Sequence, residues 1–176
     1  DFAAAERWIA EAAVCDGMAE SARQLKIQVL EKQKNWSELA AALERDLVQG
    51  EMADKISIDT VLQLSRARIA AGDYQPAMST LESAIARNQD RVDLLDVYIQ
   101  AARAAGAVRK LEETLKRRFP FEVVPAKRAQ IAGEIGDLAL NEFEDPRGAV
   151  VWYGKALRED PECFEAREGL VTALHR

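Results

Sequence analysis

The chain contains little histidine and little cysteine. Its 176 residues include one histidine, His175, and two cysteines, Cys15 and Cys163. A nucleophilic triad or a clustered zinc site needs more of these side chains at closer spacings. Because the two cysteines are single and far apart, they form neither a CxxC motif nor a disulfide framework. We expect both to be small buried hydrophobic residues in a reducing compartment, and therefore a cytoplasmic protein.

Long apolar runs are also lacking. No run approaches the roughly 18 to 20 residues of a membrane-spanning helix, and the sequence shows no basic and apolar signal-type region at its start. The formal net charge of −6 argues against a nucleic-acid or membrane-surface role for the chain as a whole. The charge is uneven, since residues 103–128 hold eight basic and three acidic side chains. With 48% hydrophobic and 31% charged residues, the composition is typical of an ordinary soluble protein.

The apolar residues that are present recur at helical spacing. Leu39, Leu43 and Leu47 illustrate the three-and-four periodicity, which continues through most of the chain and predicts helices of about 12 to 16 residues. No sustained period of two indicates a strand. Breaks between the roughly ten predicted helical segments are expected at Gly17, 34–35, Gly50, Gly72, Gly106, 120–125, 145–146 and Pro161.

One pattern occurs three times. The stretches "DFAAAERWIAEA", "DYQPAMSTLESA" and "DPRGAVVWYGKA" begin at residues 1, 73 and 145 and share an aspartate, an alanine, a large apolar residue and a second alanine at equal spacing. Weaker copies begin at residues 35 and 107, so successive starts lie 34 or 38 residues apart. Such a period predicts stacked helix pairs, in which alanine allows close approach of neighbouring helices.

These residues resemble the tetratricopeptide repeat (TPR) family. The resemblance is carried by Leu64, Ala67, 72–74, Ala77, Leu81 and Ala84, and again by Leu140, Asp145, Ala149, Tyr153, Ala156 and 160–161. It implies an all-α fold, a right-handed α-solenoid of antiparallel helix pairs. Departures are Ser65 and Ile99 at a usually small first-helix position, and four-residue insertions near 46–57 and 119–129.

The pattern divides the chain into repeat units. We predict a half unit at 1–19, units at 20–57, 58–91, 92–129 and 130–163, and a half unit at 164–176. Because apolar residues such as Phe2, Trp8, Val171 and Leu174 lie in the two half units, we expect the sequence to be a segment of a longer array.

The sequence carries no HExxH, GxSxG or glycine-rich phosphate motif. We therefore expect no catalytic activity, no cofactor and no metal site. The three tryptophans, Trp8, Trp36 and Trp152, fall near the starts of second helices, and packing in the core or between repeats explains them better than a ligand box.

The resemblance implies a binding groove lined by the first helix of each pair, suited to a partner peptide, helix or protein surface. Each position could also be an ordinary exposed or packing residue. A carboxylate clamp of Lys and Asn, found in some family members, has no counterpart at the matching pairs. The predicted groove residues are Gln24, Gln28, Glu31, Leu62, Arg66, Ile69, Asp96, Gln100, Arg103, Glu134, Leu138 and Asn141.

The basic region is the basis of an alternative function. A protein-interaction scaffold is the first hypothesis, and a nucleic-acid-associated helical repeat that uses residues 103–128 is the second. Solvated charge on the outer face, an acidic protein surface and RNA or phosphate are all open as explanations of this region. Its members are Arg109, Lys110, Lys116, Arg117, Arg118, Lys127 and Arg128.

Overall fold

The computed structural model describes residues 7–9, 12, 19–52, 57–89 and 91–176, and over these ranges the ordered elements are helical. A 3₁₀ helix, Phe119–Phe121, lies between α6 and α7. The expectation of an all-α chain is confirmed for the described residues. The α-helices are α1 (Ala19–Gln33), α2 (Trp36–Met52), α3 (Ile58–Ala71), α4 (Tyr74–Arg87), α5 (Val92–Ala104), α6 (Val108–Arg118), α7 (Pro125–Asn141), α8 (Pro146–Glu159) and α9 (Phe164–Leu174).

The helices form two compact units, Asp1–Gln89 and Asp90–Arg176. In the first unit α1 packs on α2, α2 on α3, and α3 on α4. In the second unit α5 packs on α6, and α7 contacts α6, α8 and α9. Neighbouring packing of this kind is what a repeat architecture requires, because each helix pair buries its apolar face against adjacent helices.

Most predicted breaks lie between helices. Gly72 follows α3 with φ +88° and Gly106 follows α5 with φ +64°, a left-handed conformation that glycine adopts without steric cost. Asp145 caps α8, since its Oδ1 accepts a hydrogen bond from the backbone N–H of Gly148 at 2.9 Å. The break predicted at Gly17 lies outside the described residues.

Two expectations about helix ends differ from the structure. The break predicted at Gly50 is wrong, because α2 continues to Met52; one glycine inside a helix costs only about 1 kcal/mol relative to alanine, which tertiary packing can offset. Helix α7 begins at Pro125, a favourable first position for proline. The predicted unit boundary at 129/130 therefore falls inside α7, and the division into units stays a prediction.

The repeated alanines of α4 and α8 lie in the core. Ala77 in α4 and Ala149 in α8 are both 0% exposed, as are Leu81 and Ala156. Each unit has its own apolar cluster: Leu39, Leu43 and Leu64 belong to the first unit, and Ala132, Tyr153 and Ala173 to the second. Small side chains let helix backbones approach while the large residue between them fills the space.

Tyr153 occupies a space that two glycines leave open. A Cβ atom on Gly136 of α7 would lie 2.8 Å from Cδ1 and Cε1 of the Tyr153 ring, and a Cβ on Gly169 of α9 would also contact this ring too closely. The Tyr153 hydroxyl donates a hydrogen bond to Oδ1 of Asp137 at 2.6 Å. Burial, and then this carboxylate, raise the pKa of Tyr153 well above its ordinary value. The ring thus contacts both α7 and α9.

Candidate functional site

The face shared by α5 and α7, which are first helices in the second unit, holds half of the predicted groove residues. Asp96, Gln100 and Arg103 recur at helical spacing on α5, and Gln100 is exposed. Arg103 donates two hydrogen bonds from Nη2 to the carboxylate of Glu134 on α7, at 2.7 and 2.9 Å. This bidentate ion pair connects the stripes of α5 and α7.

The α7 stripe continues beyond this ion pair. Leu138 is half-buried and Asn141 is exposed, one and two turns after Glu134. The structure therefore brings the α5 and α7 positions to one face of the second unit, which we name the α5/α7 face: Asp96, Gln100, Arg103, Glu134, Leu138 and Asn141. Their role in binding stays a prediction.

Asp96, at one end of the α5/α7 face, is held in place by an ion pair with a residue of α6. Oδ1 of Asp96 accepts a hydrogen bond from Nε of Arg118, which lies at the end of α6, at 2.7 Å. The side chain of Arg118 is 11% exposed, and that of Asp96 is 48% exposed. A partly exposed carboxylate held by a largely buried arginine is pre-oriented, so that a partner would not have to order it.

The predicted groove residues of the first unit are less uniform. Gln24, Gln28 and Glu31 on α1 and Arg66 on α3 are exposed, and Ile69 is half-buried. Leu62 is only 6% exposed. We therefore correct the prediction that Leu62 lines the groove, because this side chain packs into the core and offers a partner almost no surface.

The basic region is partly neutralised in the structure. Arg118 and Arg128 were expected to belong to a basic patch, but Arg118 pairs with Asp96 and Glu122, and Arg128 contacts Glu159 at 3.1 Å. Lys116 pairs with Glu112 one turn earlier on α6. Three members of the predicted patch are therefore paired with carboxylates, and a binding role for the patch stays a prediction. Arg109, Arg117 and Lys127 are exposed, as is Lys110.

Glu122 is a buried acidic residue that the sequence reasoning missed. It is 8% exposed, and its Oε1 accepts hydrogen bonds from the backbone N–H groups of Val123 and Val124, each at 3.0 Å. These backbone donors, the one of Val124 foremost, and the Arg118 guanidinium hold the pKa of Glu122 below its usual value. The only sequence signal was that Glu122 is the single charged residue of the segment 119–124.

Arg68 was missed in the first unit. Its guanidinium joins three helices, since it donates to Oε1 of Glu44 on α2 at 2.6 Å and to the hydroxyl of Thr80 on α4 at 2.5 Å. Its own helix is α3. These partners lie 24 and 12 residues away, so no local pattern could have indicated them.

The described tryptophan and cysteine side chains differ in how deeply they are buried. Trp36 and Trp152 pack against the cores of their units, whereas Trp8 is 41% exposed. Cys163 is half-buried at the start of α9, and Cys15 lies outside the described residues.

Across the described ranges, no three acidic, histidine or cysteine side chains gather as metal ligands. None of the helices described is both long and apolar enough to cross a membrane.

The fold is that of helical-repeat proteins of the TPR class. A tetratricopeptide repeat protein from Parabacteroides merdae is similar with a TM-score of 0.68 over 89% of this chain and 59% of its own, at 14% identity. Crystal structures of MamA have TM-scores of 0.62 and 0.64, at 15% and 13% identity, and cover 83% and 85% of this chain and 81% and 77% of their own. At these identities the similarity concerns the fold, and it confirms the TPR-like fold that the repeats predicted.

No protein-family model matches the sequence. No curated protein matches it either.

Proposed function

We propose that this chain is a protein-interaction scaffold that binds a partner peptide, helix or protein surface through the exposed faces of its first helices. The TPR-like fold supports this, because stacked helix pairs present extended surfaces built from equivalent helices. The α5/α7 face carries the proposal. It is polar, partly exposed and pre-oriented by the Arg103–Glu134 and Asp96–Arg118 ion pairs.

The chemistry of this face suits a polar partner segment. Gln100 and Asn141 each offer an amide that can both donate and accept hydrogen bonds, and the partly exposed carboxylate of Asp96 adds an acceptor. Arg66 on α3 supplies an exposed cation in the first unit. Side chains of this kind bind an extended or helical segment by hydrogen bonds and a few charges.

Affinity capture with paired variants tests the proposal. The full chain with Arg66→Glu and Gln100→Lys should lose bound proteins that the unchanged chain retains, because one substitution reverses the charge on an exposed first helix of the first unit and the other adds charge to the α5/α7 face. Identification of the captured proteins by mass spectrometry gives the measurement.

The matched control places similar changes on second helices. Ser83→Lys on α4 and Arg158→Glu on α8 alter exposed residues away from the first helices. We expect this variant to capture the same proteins as the unchanged chain. Equal loss in both variants, or no loss in either, would exclude the first-helix faces as the binding surface.

The nucleic-acid alternative has no support in the structure. Two of the arginines on which it depended, Arg118 and Arg128, are engaged with carboxylates.

A further inference from the structure

In the segment 119–124, between α6 and α7, the charged side chain is buried and three apolar side chains are exposed, which is the reverse of the usual arrangement. We call this segment the 119–124 loop. Its one charged residue, Glu122, is 8% exposed, whereas Val123 is 82%, Val124 42% and Phe121 40% exposed. A surface loop normally places its charge in water and hides its apolar groups. Here three apolar side chains lie in water around a buried carboxylate.

Hydrogen bonds from two arginines and from the backbone hold Glu122 in this buried position. Oε2 of Glu122 accepts a hydrogen bond from Nη2 of Arg118 at 2.9 Å, and the Glu122 carbonyl accepts from Nε and Nη2 of Arg128 at 2.9 and 2.7 Å. Glu122 also binds the backbone N–H groups of the two valines. The backbone is thus ordered before any partner arrives, so that binding costs little further conformational entropy.

The inner part of the loop is anchored by aromatic packing. The rings of Phe119 and Trp152 meet edge to face, with centroids 5.5 Å apart, and the guanidinium of Arg128 lies 5.9 Å from the Phe119 centroid. Phe119 therefore packs inward while Phe121 remains partly in water. The two phenylalanines of one Phe-Pro-Phe turn have separate roles, and only the first serves the core.

Exposed cations flank the loop on both sides. Arg117 lies in the last turn of α6 and Lys127 in the first turn of α7, and both side chains are exposed. Lys116, beside Arg117, is exposed but pairs with Glu112 at 2.7 Å. The N-terminus of a helix carries a partial positive charge, which disfavours a lysine there. The first turn of α7 has no acidic residue to compensate. Helix stability therefore does not explain Lys127.

We propose that the 119–124 loop is a contact site for an anionic lipid surface. Phe121, Val123 and Val124 enter the interfacial region of the bilayer, and the flanking cations lie against lipid phosphates. This goes beyond the proposed scaffold function and does not depend on it, since Phe121, Val123 and Val124 are not members of the α5/α7 face; Arg118 joins the two by pairing with Asp96 and with Glu122.

The size and shape of the patch favour lipid over a protein partner. Stable protein interfaces bury about 800 Å² on each side, far more than three partly exposed side chains supply. A projecting apolar tip needs a matching pocket on a protein, whereas a deformable bilayer interface accepts it without one. Anionic headgroups also complement the exposed cations Arg117 and Lys127.

Vesicle sedimentation with the full chain tests the proposal. Vesicles of phosphatidylcholine and phosphatidylserine in about a seven-to-three ratio should bind the chain at low salt, and pure phosphatidylcholine should bind it much less. Val123→Asp should reduce binding about tenfold or more, because it places a charge at the apolar tip. Lys127→Glu should reduce binding to the anionic vesicles as well.

Matched controls are available in the same unit. Val151 on α8 is 55% exposed, and Arg147 is an exposed cation in the first turn of the same helix. Val151→Asp and Arg147→Glu should bind vesicles like the unchanged chain. Circular dichroism at the sedimentation temperature checks that all four variants are equally helical.

Insertion depth distinguishes lipid contact from simple charge attraction. After subtraction of the emission of the unchanged chain with its three tryptophans, the emission of Val123→Trp should shift to shorter wavelength when anionic vesicles are added, and that of Val151→Trp should not. Absence of vesicle binding, equal binding of Val123→Asp and Val151→Asp, or an unshifted Val123→Trp would each overturn the proposal. Equally strong, loop-dependent binding to polyglutamate would assign the loop to an acidic protein instead and would also overturn it.

Discussion

At the scale of single residues, two glycines in one helix have opposite roles. A Cβ on Gly136 would lie 2.8 Å from the ring of Tyr153, whereas a Cβ on Gly133, three residues earlier in α7, would meet nothing within 4 Å. Gly136 is therefore required by packing. Gly133 is a helix position that has no steric need for glycine.

The pair makes a matched prediction. Gly136→Ala should lower the free energy of unfolding by about 1 to 3 kcal/mol, because the methyl group displaces a buried ring. Gly133→Ala should raise it by about 0.5 to 1 kcal/mol, because alanine favours the helix. Urea denaturation of both variants measures the difference. If both changed stability in the same direction, the packing around Tyr153 would have to be different from that described.

Glu122 links loop structure to pH. The backbone N–H of Val124 and the guanidinium of Arg118 lower its pKa in the folded state below the ordinary value of 4.5. Between the two pKa values the unfolded chain binds more protons, so the contribution of Glu122 is present above pH 4.5 and is lost as the pH falls through the folded pKa.

The expected outcome concerns the difference between two proteins. As the pH falls from 6 to 3, the melting temperature of the unchanged chain should fall more than that of Glu122→Gln, which has no carboxylate to protonate. Other acidic residues contribute equally to both proteins and cancel in the comparison. Parallel melting curves across this range would show that the buried carboxylate contributes nothing to folding.

At the scale of helices, the alanine spacers determine how closely α4 and α8 each pack against neighbouring helices of their own unit. Ala77 and Ala149 have no exposed surface, whereas Ser79 is exposed on α4 and donates to the Gln75 carbonyl at 3.1 Å. A larger side chain at either alanine must push two helices apart.

We expect Ala77→Leu and Ala149→Leu each to cost about 1 to 3 kcal/mol of unfolding free energy. Ser79→Ala should change stability little, since it removes only an exposed local hydrogen bond. Thermal unfolding of the three variants provides the test. Equal melting temperatures would contradict the helical register.

Helices and spacers could be predicted from the sequence because both are local. Ala77, Leu81 and Ala84 lie within two turns of one helix, and their order alone indicates a buried face. The continuation of α2 through Gly50 could not be predicted, because the local penalty of glycine is small and tertiary contacts decide the outcome.

The candidate site could be predicted only in part. The helical spacing of Asp96, Gln100 and Arg103 indicated a shared face, and all three lie on α5; that they line a groove stays a prediction. The partners of these residues could not be predicted, since Arg103 pairs with Glu134 across 31 residues. Burial of Arg118 likewise depends on a loop whose inverted exposure has no sequence signature.

At the scale of the whole molecule, net charge and local charge have different consequences. The chain carries −6 overall, while two arginines of its basic region are engaged by carboxylates. Binding of a nucleic acid along the chain must therefore work against the chain's net negative charge.

We expect the chain not to bind single-stranded RNA, even at low salt where binding by counterion release is strongest. Gel-shift titration with a single-stranded oligonucleotide checks this. A shifted band that disappears steeply as salt is raised would restore the nucleic-acid alternative.

The contact of Tyr153 with two glycines has a consequence for variation among related sequences. One ring sets the clearance for α7 through Gly136 and for α9 through Gly169. Positions 136, 153 and 169 should therefore change together: where either glycine is replaced by a larger residue, position 153 should hold a smaller side chain. Substitutions at these three positions, which are far apart in the chain, would then occur together among related sequences.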